Sequence, residues 1–231
     1  MREQDQAVKW FNTEFYPPLH KGLGHSVRYD DGVLPRLRRS RIIFFTPWGP
    51  RYGWSQRGTT IVDGDREVAL LRYLAELYAS LADRFGSDRL SWLFLGADLY
   101  GTKINSLPPE VVVDYFASLR GWIGRLLPTA EFRLWSEFDH QAESFRRLFR
   151  GRVKAFVGPE VIDQADKVAR HRGSADAQPY LVERLAEAAL IELIYEPIKL
   201  SCVDSRKDSE VDLDLPRLYL VPPGLRAPWM G

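Results

Sequence analysis

Two short, continuous apolar runs with an amphipathic helix between them limit what this chain can fold into more than any other feature. The runs are Arg41-Ile-Ile-Phe-Phe-Thr46 and Leu90-Ser-Trp-Leu-Phe-Leu95. A run that is apolar throughout, rather than alternating, suits a strand covered on both faces. Between them, Glu67 to Phe85 sets Val68, Leu71, Leu74, Leu77, Tyr78 and Leu81 three and four residues apart. That is the period of a helix with one apolar stripe. Asp63 or Asp65 could cap its start, and Gly86 suits its end. The spacing predicts a further helix over Pro108 to Gly124, with Pro108 and Pro109 in the first turn, where proline is tolerated. A third strand follows at Glu131-Phe-Arg-Leu-Trp-Ser136. Strands that alternate with helices in this way argue for a parallel sheet with helices on both faces.

The rest of the chain extends the pattern. Helices are expected over Gln141 to Val157, Glu160 to Ala169 and Pro179 to Tyr195, the last with a broad apolar face. After Pro197, which stops that helix, Ile198, Leu200 and Cys202 alternate with Lys199, Ser201 and Val203. That is the period of a strand, and the closing run from Pro216 to Trp229 reads as its neighbour. Residues 1–40 read as an irregular N-terminal segment, because Pro17-Pro18 ends any helix and glycines surround His20 and His25. Arg36, Arg38, Arg39 and Arg41 cluster just before the first strand, as a solvated rim or a phosphate or nucleic-acid contact. The expectation is one Rossmann-like α/β domain over 41–231, with a mostly parallel sheet; 231 residues suit one such domain.

Several function classes drop out. The net charge is +1, so nucleic acid or membrane would be drawn only by a local patch. The single cysteine, Cys202, excludes an intrachain disulfide and a cysteine-rich zinc site. The polar N-terminus and the lack of a run of roughly 18–20 apolar residues point to a cytoplasmic protein without membrane contact. No G-x-G-x-x-G, G-x-x-x-x-G-K-[ST], H-E-x-x-H or G-x-S-x-G occurs. No cofactor and no metal are therefore expected.

Open α/β sheets bind ligands at the carboxyl ends of their strands. The first strand runs into Pro47-Trp-Gly-Pro-Arg-Tyr-Gly53 and then a polar stretch, Ser55 to Asp65, that reads as a flap. The second runs into Gly96-Ala-Asp-Leu-Tyr-Gly-Thr-Lys-Ile-Asn105. Arg51 suits a carboxylate or phosphate bidentately, or a surface ion pair. Asp98 could hold an amine or cap a helix. Lys103 could do carbonyl chemistry if burial lowers its pKa, and is otherwise solvated. Lys199, Ser201 and Asp204 would line the same edge. Trp48 and Trp229 would form an aromatic wall, or else pack.

In order along the chain, Phe45-Thr-Pro-Trp-Gly-Pro-Arg51, the leucine-rich helix, Leu93-Phe-Leu-Gly-Ala-Asp98, Val111-Val-Val-Asp-Tyr115, Arg184 with Glu187-Ala188, Ile198-Lys-Leu-Ser201 and Ala227-Pro-Trp-Met230 form a series of landmarks. The series resembles the pyoverdine/dityrosine-biosynthesis family, the isocyanide (isonitrile) synthases, over residues 41 to 230. The resemblance implies an enzyme of specialised, natural-product metabolism. In it the amine nitrogen of an amino acid gains a carbon from a sugar phosphate. The catalytic candidates are Lys103, Asp98, Glu187 and Ser201. Where the family has a lysine in the first loop, this chain has Arg51, which stays charged and forms no Schiff base. The family's later histidines are also replaced, by Val203-Asp204 and by Met230.

A weaker similarity is to the tRNA-dependent cyclodipeptide synthases, transferases that use aminoacyl-tRNA. It rests on Arg146, Arg147, Arg150, Arg152 and Lys154, which could meet phosphates, and on Tyr180 with Glu183 or Glu187, which could position an aminoacyl group. The Gly-x-Ser-x-x-Asn nucleophile loop of that group is absent, and Thr46 is the sole hydroxyl near its place. A third reading is a non-catalytic binding module that keeps the pocket and lacks turnover.

Overall fold

The computed structural model describes residues 3–16, 29–49, 67–104, 107–171, 176–202 and 215–220. In chain order the elements are α1 (Glu3–Trp10), a π-turn (Phe11–Phe15), α2 (Val33–Leu37), β1 (Ile42–Trp48), α3 (Glu67–Phe85), β2 (Leu90–Gly96), a second π-turn (Tyr100–Ile104), α4 (Pro109–Leu126) and β3 (Glu131–Leu134). A 3-10 turn (Trp135–Phe138) then leads into α5 (Asp139–Phe149), a short 3-10 turn (Val153–Ala155), α6 (Pro159–His171), α7 (Gln178–Tyr195), β4 (Ile198–Cys202) and β5 (Arg217–Leu220).

The five strands form one sheet in the order β3-β2-β1-β4-β5, with every pairing parallel. Alternation along β1 explains why it reads as apolar throughout. Ile42, Phe44 and Trp48 enter the core built by α3, α4 and the N-terminal segment. Ile43 and Phe45 enter the core under α5 and α7. Both faces are therefore covered, as the α/β expectation required. The chain moves to one side of β1 through β2 and β3, and to the other through β4 and β5. The strand order thus reverses between β1 and β4, the kind of place where doubly wound sheets leave a crevice.

Two expectations need correction. The N-terminal segment is not irregular where it is described. Glu3–Trp10 is helical, and Ala7, Val8, Phe11 and Tyr16 are buried in the core beneath α3. The Trp10 ring meets Phe85 edge-on at 6.4 Å and lies under the Arg84 guanidinium at 5.5 Å. Tertiary packing makes this short helix stable, since eight residues are too few to hold a helix alone. The helix expected over Gln141 to Val157 breaks instead after Phe149. Arg150 leaves the helical region with ψ at 123°, and Gly151 takes φ of 73°, which a side chain rarely tolerates.

The basic cluster ahead of β1 is a structural clasp. Arg36 donates to Glu192 at 2.6 Å and to the carbonyl of Pro197; Arg38 reaches Asp5 at 3.5 Å; Arg39 pairs with Glu196. Arg36 and Arg39 meet the carboxylates at the end of α7 and the carbonyl of Pro197 just beyond it, complementing the negative end of its dipole, while Arg38 ties α1 to the same segment. No helix among the described residues is long and apolar enough to cross a membrane.

Candidate functional site

α7 precedes β4, so its first turns lie at the carboxyl edge of the sheet. They carry Tyr180, Glu183, Arg184 and Glu187. The loop after β2 brings Tyr100 against them. The Tyr100 and Tyr180 rings meet edge to face at 6.0 Å, and the Arg184 guanidinium carbon sits 5.8 Å from the centre of the Tyr100 ring. Arg184 Nη1 donates to Glu187 Oε1 at 2.8 Å. Glu187 is 3% exposed and Tyr100 6%. Glu187 Oε2 and the Tyr100 hydroxyl are both buried without a hydrogen-bond partner. Burial, followed by the negative charge of Glu187, pushes the Tyr100 phenol well above its usual pKa, while Arg184 pulls the other way. The phenol stays protonated at neutral pH. The site therefore holds an unmet carboxylate oxygen and an unmet hydroxyl.

A second polar knot adjoins it. Glu183 accepts Arg146 Nε and Nη2 at 2.7 Å each, and also accepts the indole N–H of Trp135. Arg146 continues to the Asp139 backbone carbonyl at 3.0 Å and to its carboxylate at 2.7 Å. The Glu183 hydrogen bonds raise the Arg146 pKa further, against the opposing effect of burial. This guanidinium is fully engaged inside the protein. Arg146 is thus not a phosphate contact, and Glu183 braces α7 against α5 rather than meeting a substrate.

Other expected residues fall elsewhere. Trp48 is not a pocket wall. It is buried on the α3/α4 face, where its indole N–H donates to the Tyr115 hydroxyl at 2.8 Å. That hydroxyl in turn donates to the Gly49 carbonyl at 3.3 Å. Asp98 Oδ1 accepts the Ser136 backbone N–H at 3.0 Å, so it caps the turn that opens α5. The Lys103 side chain is 62% exposed and 3.8 Å from Asp139, out in solvent rather than in a pocket. Arg147, Arg150, Arg152 and Lys154 remain exposed. Ser201 stands in β4 opposite Tyr219. Arg51, Asp204, Trp229 and the Ser55–Asp65 stretch lie outside the described residues, as do Asp63 and Asp65.

Lys199 is buried in β4, in register with Phe45 on one side and with Arg217 on the other. Both side chains lie in the sheet interior, and neither is without an interaction of its own. Sequence reading missed Tyr100, Trp135 and Arg217. The signal for Tyr100 was its place two residues after Asp98, at the end of a buried strand. Among the described residues, no three His, Cys, Asp or Glu side chains gather so as to hold a metal ion. No protein-family model matches this chain, and no curated protein does.

Proposed function

We propose that this protein is an enzyme acting on the amino group of an amino acid, of the isocyanide-synthase type, with the amine held at Glu187 and Tyr100. One observation carries the reading: Glu187 Oε2 and the Tyr100 hydroxyl lack partners although both side chains are more than nine-tenths buried. Buried polar groups left unmet are costly and uncommon, and a ligand is one way to meet them. An amine donates two or more hydrogen bonds and can satisfy both oxygens at once. Arg184 holds the other Glu187 oxygen and fixes the direction of the free one. In this reading Lys199 takes over the carbonyl-binding role first considered for Lys103. Lys199 is buried within the sheet, whereas the Lys103 side chain is out in solvent.

The test is to incubate the protein with each amino acid and a pentulose phosphate and to look for the isocyanide by mass spectrometry. Product that is lost in Glu187→Gln supports the reading. No product with any amino acid, or full activity in Glu187→Gln, overturns it.

A second reading, an aminoacyl-tRNA-dependent transferase, has its own observation. From Arg147 to Val157 there is no acidic residue, and Arg147, Arg150, Arg152 and Lys154 are all exposed. Such a stretch suits a polyanion bound without sequence preference. The same amine site would then hold the aminoacyl group. tRNA that co-purifies, and binding that weakens steeply with salt, would favour this second reading. Salt-insensitive or absent binding would remove it.

A further inference from the structure

The chain leaves α5 through a knuckle that the core holds on one side and leaves bare on the other. Phe149, Val153 and Val157, four residues apart, are buried in the core under α5 and α7. The Arg152 N–H donates to the Phe149 carbonyl and the Phe156 N–H to the Val153 carbonyl, both at 2.9 Å, so the segment folds into two tight turns. The Phe156 ring stands edge-on to Phe149 at 5.0 Å and ties the second turn to the end of the helix. A side chain at Gly151, between the turns, would meet nothing within 4 Å, so the tip stands clear. Arg147, Leu148, Arg150, Arg152, Lys154 and Phe156 are all exposed. Leu148 and Phe156 are two of the five large apolar side chains that stand exposed among the described residues.

We propose that this knuckle is a peripheral docking surface for an anionic lipid bilayer. Leu148 and Phe156 enter the boundary between headgroups and acyl chains, and the four cations meet the lipid headgroup anions. The charges name the class of occupant. Asp139, Glu143 and Glu183, the acids that flank the knuckle, all pair with the buried Arg146. No ion pair among the described residues engages Arg147, Arg150, Arg152 or Lys154. Four cations therefore face outward with no acid opposing them.

The apolar pair narrows the class. A nucleic acid needs only the cations, and it would leave a bare leucine against phosphates. A bilayer meets both kinds of group, because apolar side chains sink below the headgroups while arginine and lysine stems lie along them with their charged ends at the surface. The other exposed apolar residues lack this setting. Leu193 and Ile194 lie between Glu192 and Glu196, and Val113 lies next to Asp114 and one turn from Glu110. Those acids would repel an anionic surface. A contact of this kind lies on the bilayer and needs no spanning helix. It is independent of the amine site, and it competes with the tRNA reading for the same cations.

The experiment is co-sedimentation of the full chain with phosphatidylcholine vesicles, with and without phosphatidylserine, and with thermal melts to confirm folding. The wild type is expected to sediment with the phosphatidylserine vesicles, to stay in solution with phosphatidylcholine alone, and to be released as salt screens the charges. Arg150→Gln, Arg152→Gln and Lys154→Gln together should weaken binding roughly a hundredfold, since each basic side chain near an anionic surface contributes about fivefold. Leu148→Ser should weaken it several-fold at fixed salt, and it spares Phe156, which packs on Phe149. A wild type that ignores anionic vesicles would overturn the proposal. So would a folded Leu148→Ser variant that binds them as the wild type does, because charge alone would then account for the attraction. Tight RNA binding without vesicle binding would give the surface to a nucleic acid instead and would overturn it equally.

Discussion

Arg146 of α5 and Glu183 of α7 form a two-bonded ion pair, with both guanidinium-to-carboxylate distances at 2.7 Å. The pair is partly shielded from water and is completed by Trp135 and Asp139. Removing one partner would leave a buried charge uncompensated, which typically costs about 3–5 kcal/mol. Arg146→Met should therefore lower the melting temperature by several degrees. Arg146→Met with Glu183→Gln should recover much of the loss, because the amide oxygen still accepts the Trp135 indole N–H and the Glu183 charge goes with its partner, while Asp139 keeps Lys103 at 3.8 Å. A melt that falls equally in the single and double variants would show that packing of the arginine stem, rather than the charge, is what holds the two helices.

Tyr100 is expected to behave in the opposite way. Its hydroxyl is buried without a partner, and an unmet buried polar group costs about 1–3 kcal/mol. Tyr100→Phe removes that cost and keeps the ring against Tyr180 and Arg184. The variant should melt at the same temperature or slightly higher, and it should bind or turn over substrate worse. A clear drop in melting temperature would mean that the hydroxyl supports the fold, and the amine site would lose one of its two groups.

The sheet was legible in the sequence because its strands report burial directly. Ile42 to Phe45 and Trp92 to Leu95 are apolar at every position since successive residues enter opposite cores. The helix ends were legible where backbone chemistry dictates them: Gly86 follows α3, and Pro197 follows α7. The N-terminal helix was hidden, because Ala7, Val8 and Phe11 make a helix worth forming only once the core below α3 exists. The break at Gly151 was hidden for a related reason, since one glycine in a long amphipathic stretch is a weak stop signal. The site was legible in part. Tyr180, Arg184 and Glu187 stand four and three residues apart, so they share one helix face. What the sequence could not say is which polar residue on that face is free. Glu183 and Glu187 look alike in the chain, and only the position of Arg146 separates a satisfied carboxylate from an unmet one.

Glu137 offers a pH test of the β3 region. Burial raises its pKa, but this is outweighed by the Leu134 backbone N–H, which donates at 2.9 Å, and by Arg133 and Arg120, so the carboxyl titrates below its usual value. A carboxyl with a depressed folded-state pKa adds stability that is present above its unfolded pKa, about 4.3 for glutamate, and is lost as the pH falls through the folded value. Between neutral pH and about pH 5 its contribution should be constant. Below that, the wild type should lose stability faster than Glu137→Gln, which cannot titrate. Denaturant melts of both proteins across that acid range check the difference. Parallel curves would mean that Glu137 is not held by Leu134 and Arg133 in solution.

The last prediction separates two lysines. Imine formation with a ketose phosphate needs a lysine that can lose its proton near neutral pH, and burial favours that while full hydration does not. Lys199 is buried within the sheet, and Lys103 is out in solvent. The lysine nitrogen would attack the sugar carbonyl, water would leave, and added borohydride would deliver hydride to the carbon–nitrogen double bond, fixing the sugar to the protein as a secondary amine. Intact-protein mass spectrometry should then show one added sugar phosphate, and peptide mapping should place it at Lys199. Lys199→Met should abolish the adduct, and Lys103→Met should leave it unchanged. The methionine keeps an unbranched apolar stem in β4 and removes only the amine, so a folded variant without adduct isolates the chemistry from the packing. An adduct on Lys103, or none on the wild type, would sink the role of Lys199 and leave the amine site at Glu187 to be judged by the product assay alone.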